Sequence, residues 1–106
     1  MINLAAWNIR GLNLPLKQDE VRKLVAACKL SLIGLIEIKV NYGKQIKIVK
    51  ELLPGWDVLF NYSTHSSGRI WVTWDPSSLA VQFLFSSSQL MHLLVQTTDN
   101  QHLFLV

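Results

Sequence analysis

Charged residues are scarce in this sequence of 106 residues. Asp, Glu, Lys and Arg make up 16% of the chain, against about a quarter in a typical soluble domain, while half of the residues are apolar. A single domain of this length buries about two-thirds of the surface that its unfolded chain exposes. We therefore expect one domain with a shallow core, part of whose apolar surface is covered by a partner.

Cysteine, long apolar runs and a charged leader are also lacking. The one cysteine, Cys28, excludes an intramolecular disulfide and a cysteine-rich metal site, so an intracellular location is expected. The longest apolar runs fall far short of the ~20 residues that span a bilayer, and Met1 is followed at once by strand-like sequence. We expect neither a membrane anchor nor a signal peptide.

The charge balance is mildly basic. The formal net charge is +3 and the isoelectric point is near 9.3, which favours polyanionic partners. The lysines lie mainly in two predicted helices, and two interpretations of them stay open. They are either the solvated faces of ordinary helices or a nucleic-acid footprint.

Apolar periodicity predicts the element order β-α-β-α-β-β-β-β-β. The expected strands are residues 2–8, 32–37, 56–60, 69–74 and roughly 79–86, 89–97 and 101–106. The first helix runs from about Leu16, with an apolar stripe that ends at Cys28, so this cysteine is expected in the core. The second runs from an Asn41 N-cap to about Leu53, with Ile46 on its inner face.

Polar residues mark the ends of two apolar strands that have the spacing of a βαβ unit. Asn8 ends the first strand and Glu37 ends the second. Parallel neighbours place both residues at the carboxyl edge of one sheet, where open α/β sheets bind ligands. An amide and a carboxylate placed there could orient a phosphate and hold a hard divalent cation.

Each of these residues also has a simpler interpretation. An asparagine after a strand commonly forms a turn, and a glutamate at a strand end is commonly a solvated charge. Arg69, in a glycine-containing loop, is either a surface arginine or a contact to a DNA phosphate. The four tryptophans fit core packing better than base stacking.

Three motifs in order carry a resemblance to a known family. They are Trp7–Asn13 (WNIRGLN), Ile33–Lys39 (IGLIEIK) and Ser67–Val72 (SGRIWV). Together they resemble the opening half of the endonuclease/exonuclease/phosphatase superfamily. Within it they most resemble the endonuclease domain that begins the reverse-transcriptase polyproteins of plant LINE-type, non-LTR retrotransposons. Residues 1–106 are then a partial domain, and we expect the C-terminal half to be missing.

The resemblance implies a mixed α/β sheet with helices on one face, equivalent to half of a four-layer sandwich. Asn8 matches the family's active-site asparagine, which contacts the scissile phosphate, and Glu37 matches its metal-binding glutamate. The resemblance thus implies Mg²⁺, or Mn²⁺, as cofactor and DNA as partner, with a nuclear location.

The sequence departs from the family pattern in several places. Ile38 stands where the family usually has threonine, which removes a hydroxyl that would support the carboxylate. The later motifs are missing, including the active-site tyrosine, Gly-Asp-x-Asn and the terminal Ser-Asp-His that activates water. We assign no general base among His65, His92 and His102. The chain by itself is therefore expected to be inactive or nearly so.

Two further functions are compatible with the sequence. One is a small basic module that binds nucleic acid without cutting it, and the other is a gene fragment with no independent role. The apolar run Leu103–Val106 also predicts an exposed terminal strand through which two copies could associate.

Overall fold

The computed structural model describes residues 2–41, 43–61, 67–87 and 90–106, without the side chains of 37–41 and 67–69. The order of elements is the one that the sequence predicts. In chain order these are β1 (Asn3–Asn8), α1 (Pro15–Cys28), β2 (Leu30–Asn41), α2 (Gln45–Leu52), β3 (Asp57–Phe60), β4 (Ser67–Trp74), β5 (Ala80–Ser86), β6 (Met91–Gln96) and β7 (Gln101–Leu105). Neither helix in the described ranges is long and apolar enough to cross a membrane.

The strands form two sheets. The first is mixed, with the order β1-β2-β4-β3, in which β1 runs parallel to β2 and the other pairs are antiparallel. The second is an antiparallel meander in the order β5-β6-β7. The α1 crossover supplies the length that a parallel β1–β2 pair requires.

Strand β2 separates two apolar cores because its side chains alternate between the faces of the first sheet. Ile33 and Leu35 pack with residues of both helices in one core. Leu32 packs in the other core, with the second sheet. The predicted α/β class, a mixed sheet with helices on one face, is confirmed, and the second sheet covers the opposite face.

Close packing between the sheets requires a glycine in β2. An added Cβ at Gly34 would lie 3.1 Å from Cγ2 of Val106. The main chain of Val106 is in turn held by reciprocal hydrogen bonds with Met91 of β6. Gly34 therefore lets the end of the second sheet approach the first.

Several predicted details of helices and strands are wrong. Cys28 is exposed, because the packed part of α1 ends before its last turn, in which Ala26, Ala27 and Cys28 all face solvent. Asn41 is not an N-cap but the last residue of β2, because it pairs with Ser67 of β4. Helix α2 begins at Gln45.

The shift in the start of α2 also changes its packed face. Ile46, predicted to face inward, is 50% exposed. The buried residues of α2 are Gln45, Ile48, Val49 and Leu52. Strand β1, expected to be buried, alternates between half-buried and exposed residues, because Ala5 and Trp7 pack on the helix side and no β1 residue packs in the core with the second sheet.

The turn between the two sheets is organised by Asp75. Its carboxylate accepts hydrogen bonds from the hydroxyl of Ser77 at 2.7 Å and from the main-chain N–H of Ser77 at 2.9 Å. These bonds, the hydroxyl bond above all, lower the pKa of Asp75. The main-chain N–H of Asp75 donates to the carbonyl of Ser31, which ties the turn to β2.

We expect the Asp75→Asn substitution to lower the free energy of unfolding at neutral pH by less than about 1 kcal/mol, because solvent screens the turn. A lowered pKa means that the unfolded chain binds the proton more tightly, so this stabilisation is present above the ordinary carboxyl pKa. It is lost as the pH falls through the lowered pKa of the folded state. Urea unfolding across this range checks the prediction. Ser77→Ala should reproduce most of the effect, and a pH-independent difference would contradict it.

Candidate functional site

One edge of the first sheet gathers the residues that the sequence singles out. The parallel strands β1 and β2 both end there, and β4 begins there because it runs antiparallel to β2. Asn8 is exposed as the last residue of β1 and pairs with Ile36. The following N–H, of Ile9, donates to the carbonyl of Ile36 at 3.0 Å. Glu37 is the next residue of β2, so its main chain lies beside the end of β1.

The ladder between β2 and β4 is interrupted at this edge. Ile36 pairs with Ile70 and Val40 pairs with Gly68, so residues 37–39 of β2 lie opposite Arg69 alone. Extra residues of this kind bend a strand and redirect its side chains, and they are common beside active sites. Glu37 and Arg69 are thus brought to the same irregular stretch, although their side chains lie outside the described part. Their chemical roles, like that of Asn8, stay predictions.

Asn61 is a buried residue of this edge that the sequence did not single out. It is fully buried after β3, and its side-chain oxygen accepts a hydrogen bond from the N–H of Ile70 at 3.0 Å. Its side-chain nitrogen donates to the carbonyl of Ser87 at 3.2 Å. Asn61 therefore joins the start of β4, next to Arg69, to the segment that follows β5. In the sequence it reads as the first residue of a polar loop, and its partners lie too far along the chain for any local spacing to indicate them.

A cavity of about 510 Å³, with a mixed polar and apolar lining, lies between the beginning of α1 and the side of α2. Its lining residues are Asn13, Pro15, Gln18, Gly43, Lys44, Lys47, Ile48 and Glu51. Gln18 is buried and donates to the carbonyl of Leu12 at 3.0 Å, which fixes the loop that follows β1. The cavity lies near the edge of the first sheet at which Asn8 lies. This follows because α1 and α2 come directly after β1 and β2, which both end at that edge.

Two lysines occupy the start of α2, where the helix dipole is positive. Lys44 is the N-cap and Lys47 lies in the first turn, and no acidic residue accompanies them in that turn. Neither forms an ion pair with another described residue. Cations at this end of a helix are disfavoured by a few tenths of a kcal/mol each, whereas an anion there is favoured. An anionic ligand would relieve this repulsion.

The donor types at the edge fit a hard cation by their chemistry. Mg²⁺ takes oxygen ligands and retains several waters, so one carboxylate with an amide oxygen and substrate oxygens is a suitable set. Within the described ranges no group of three or more His, Cys, Asp or Glu could hold a metal. His92 and His102 lie on the second sheet, and His65 is outside the described residues.

Comparisons with known proteins connect this geometry to a fold. No family model matches the chain, and no curated protein matches it. Several solved structures do, among them two whose likeness covers nearly the whole of this chain. The first is the endonuclease domain of TRAS1, a telomere-specific non-LTR retrotransposon, with a TM-score of 0.65, 10% identity, and coverage of 94% of this chain and 42% of that one.

The second structure is a humanized TDP2 from D. rerio carrying 14 mutations. Its TM-score is 0.65 and its identity 12%, over 98% of this chain and 48% of that one. At these identities the likeness shows a shared α/β fold and nothing more about this chain. The chain spans less than half the length of either structure.

We expect Asn61→Ala to lower the free energy of unfolding by about 2 kcal/mol, because it leaves the buried N–H of Ile70 without its side-chain acceptor. Chemical denaturation measures this value. Asn100→Ala, in the exposed turn before β7, is the matched control and should change it by less than about 0.5 kcal/mol. Equal effects of the two substitutions would show that Asn61 does not hold the edge together.

Proposed function

We propose that residues 1–106 form the first half of a phosphodiester-cleaving domain of the endonuclease/exonuclease/phosphatase type, derived from a plant LINE-type retrotransposon. The observation that carries the proposal is the parallel register of β1 and β2, which places Asn8 beside the main chain of Glu37. The fold that this chain has in common with a retrotransposon endonuclease domain supports the same origin.

Each residue of the edge has a role in this proposal. The amide of Asn8 donates a hydrogen bond to a phosphate oxygen and so orients the scissile group. Glu37 holds Mg²⁺ or Mn²⁺, which when bound stabilises the charge that develops on the phosphate and the leaving oxygen. Arg69 contacts a neighbouring DNA phosphate, which fixes the position of the duplex.

The same proposal gives the isolated chain no hydrolytic activity. Hydrolysis requires a base that is positioned to activate water, and the family motifs that supply it have no counterpart in residues 1–106. The short coverage of both solved structures supports this view, since more than half of each has no counterpart here. DNA, a nuclear location and association of two copies through β7 belong to the proposal.

A second candidate function is binding of nucleic acid without cleavage. The cavity with Lys44 and Lys47 favours it, because two cations at a helix start, without an ion-pair partner among the described residues, suit a phosphate backbone. This function needs neither a metal nor a base. Experiments can distinguish binding without cleavage from the first proposed function. Metal binding depends on Glu37, whereas salt-dependent binding of DNA depends on the two lysines.

We expect isothermal titration to detect binding of Mg²⁺ or Mn²⁺ to the chain and its loss in Glu37→Ala, because the substitution removes the carboxylate ligand. The control is Asp99→Ala, which removes an exposed carboxylate from the turn before β7 and should leave binding unchanged. Binding that persists in Glu37→Ala would contradict the assignment of the metal ligand.

A plasmid-nicking assay with Mg²⁺ tests the proposed inactivity on the same proteins. We expect no nicking by the unaltered chain. Nicking that disappears in Glu37→Ala would overturn the inactivity while supporting the site.

For the second function we expect the affinity for a short DNA duplex to fall with rising salt, as released counterions require. The double substitution Lys44→Ala/Lys47→Ala should reduce the slope of log K against log salt by up to about 0.9 for each phosphate that the variant no longer neutralises. Lys23→Ala/Lys29→Ala removes the same charge from exposed positions outside the cavity and should leave the slope unchanged. A response to salt that is flat, or equal in the two variants, would exclude the cavity as the binding surface.

A further inference from the structure

A second cavity, of about 410 Å³, lies between α2 and the start of β3. We call it the Trp56 pocket, and its lining residues are Ile46, Val49, Lys50, Trp56, Asp57, Val58 and Trp74. All of them lie between Ile46 and Trp74 in the sequence, so segments that are close along the chain form it. Trp74 pairs with Leu32, near the beginning of β2, whereas Asn8 pairs with Ile36 further along that strand. The Trp56 pocket is therefore separate from the edge at which Asn8 lies.

The Trp56 pocket combines an apolar wall with two opposite charges. Trp56 is half-buried and packs against the core on the helix side of the first sheet, next to the buried Val49. Lys50 and Asp57 are exposed, and neither forms an ion pair with another described residue. Ligand sites typically have walls of this kind, with a few polar groups that fix the orientation of the ligand. The pocket thus suits a flat ring that carries a hydrogen-bond donor for Asp57 and an anion for Lys50.

A row of lysines on α2 connects the cavity between the two helices with the Trp56 pocket. Lys44, Lys47 and Lys50 are three residues apart, and residues at this spacing are neighbours on a helix surface. The first two line the cavity between the helices, and Lys50 lines the Trp56 pocket. All three are exposed, and the row covers about 9 Å along the helix axis. Positive charge is therefore continuous from one cavity to the other.

We propose that the Trp56 pocket holds one unpaired base of a single-stranded nucleic acid whose backbone follows the lysine row. The base stacks on Trp56, Lys50 contacts the adjacent phosphate, and the carboxylate of Asp57 accepts a hydrogen bond from an exocyclic amino group of the base. This inference rests on the second candidate function, binding of nucleic acid without cleavage. It adds to that function the state of the strand and the type of base.

The combination of groups favours a single strand over a duplex or an acidic peptide. The bases of a duplex are stacked and paired, so they cannot enter a pocket beside an aromatic ring, whereas a single strand exposes the faces of its bases. A basic surface next to an aromatic side chain is a common way in which proteins hold single strands. An acidic peptide would also be attracted by the lysines, but its acidic and apolar side chains offer no donor to the carboxylate of Asp57.

The charge of Asp57 determines which base is preferred. A carboxylate accepts a hydrogen bond from the N4 amino group of cytosine. Thymine presents the acceptor O4 at the same position, which the carboxylate repels. The two pyrimidines are similar in size and both can stack on Trp56, so we expect Asp57 alone to distinguish them.

Fluorescence anisotropy with labelled single strands of about ten nucleotides tests the base preference on the whole chain. Oligodeoxycytidine should bind at least about fivefold more tightly than oligodeoxythymidine. Asp57→Asn should make the two affinities equal, because an amide can accept from cytosine and donate to thymine. Asp99→Asn is the matched control, at an exposed carboxylate in the turn before β7, and should keep the preference. Oligocytidine and oligouridine distinguish an RNA from a DNA ligand, and a preference for cytosine in either nucleic acid supports the proposal.

Variants of Trp56 and Lys50 test the stacking and the phosphate contact. Trp56→Leu should weaken binding of oligodeoxycytidine about tenfold, within the range of base stacking on aromatic side chains. Trp56→Phe keeps an aromatic ring and should restore most of the affinity, which separates stacking from a loss of structure. Lys50→Ala should reduce the slope of log K against log salt by up to about 0.7. Lys23→Ala removes the same charge from an exposed position outside both cavities and should not change the slope.

Any one of four results overturns the proposal. These are equal affinities for cytosine and thymine oligomers, unchanged affinity in Trp56→Leu, tighter binding of a duplex than of the single strand, and displacement of the oligomer by a lower concentration of an acidic Glu/Leu peptide. In each case duplex binding that depends on Lys44 and Lys47 would leave the second candidate function standing. That function fails by a different result, namely a duplex affinity that the Lys44→Ala/Lys47→Ala substitution does not change.

Discussion

Burial of β2 on both faces is the constraint on which the rest of the structure depends. Leu32, Ile33 and Leu35 are each fully buried, and burying a side chain of this size contributes about 1.5–3 kcal/mol. The helices cover one face of β2 and the second sheet covers the other. Among the described side chains of β2, full burial ends at Leu35, because Ile36 is half-buried. The site edge is therefore the place where this double burial ceases.

The element order could be predicted because it depends on local periodicity. The apolar run from Leu32 to Ile36 is continuous, as expected of a strand covered on both faces, and the stripe of α1 differs from it in period. The boundaries failed where pairing between distant segments prevailed over local signals. Asn41 resembles an N-cap, yet it extends β2 because Ser67 provides a partner for it.

The candidate site was also predictable where it depends on local spacing and not where it depends on pairing between distant segments. That Asn8 and Glu37 lie together follows from the βαβ spacing, because parallel neighbours end at one edge. The interruption opposite Arg69 could not be predicted, since it is a mismatch in length between two strands that are distant in sequence. Asn61 was missed for the same reason, because its partners Ile70 and Ser87 are 9 and 26 residues away.

The few charged residues are distributed unevenly over the structure. From Pro76 to Val106, Asp99 is the sole Asp, Glu, Lys or Arg residue, so almost all charges belong to the helices and the first sheet. A phosphate backbone is attracted by the charged part and gains nothing from the second sheet. A protein surface, in contrast, can cover the outer face of the second sheet without desolvating an ion, which is the usual cost of such a contact. The uneven distribution of charge thus separates a surface suited to phosphate from one suited to another polypeptide.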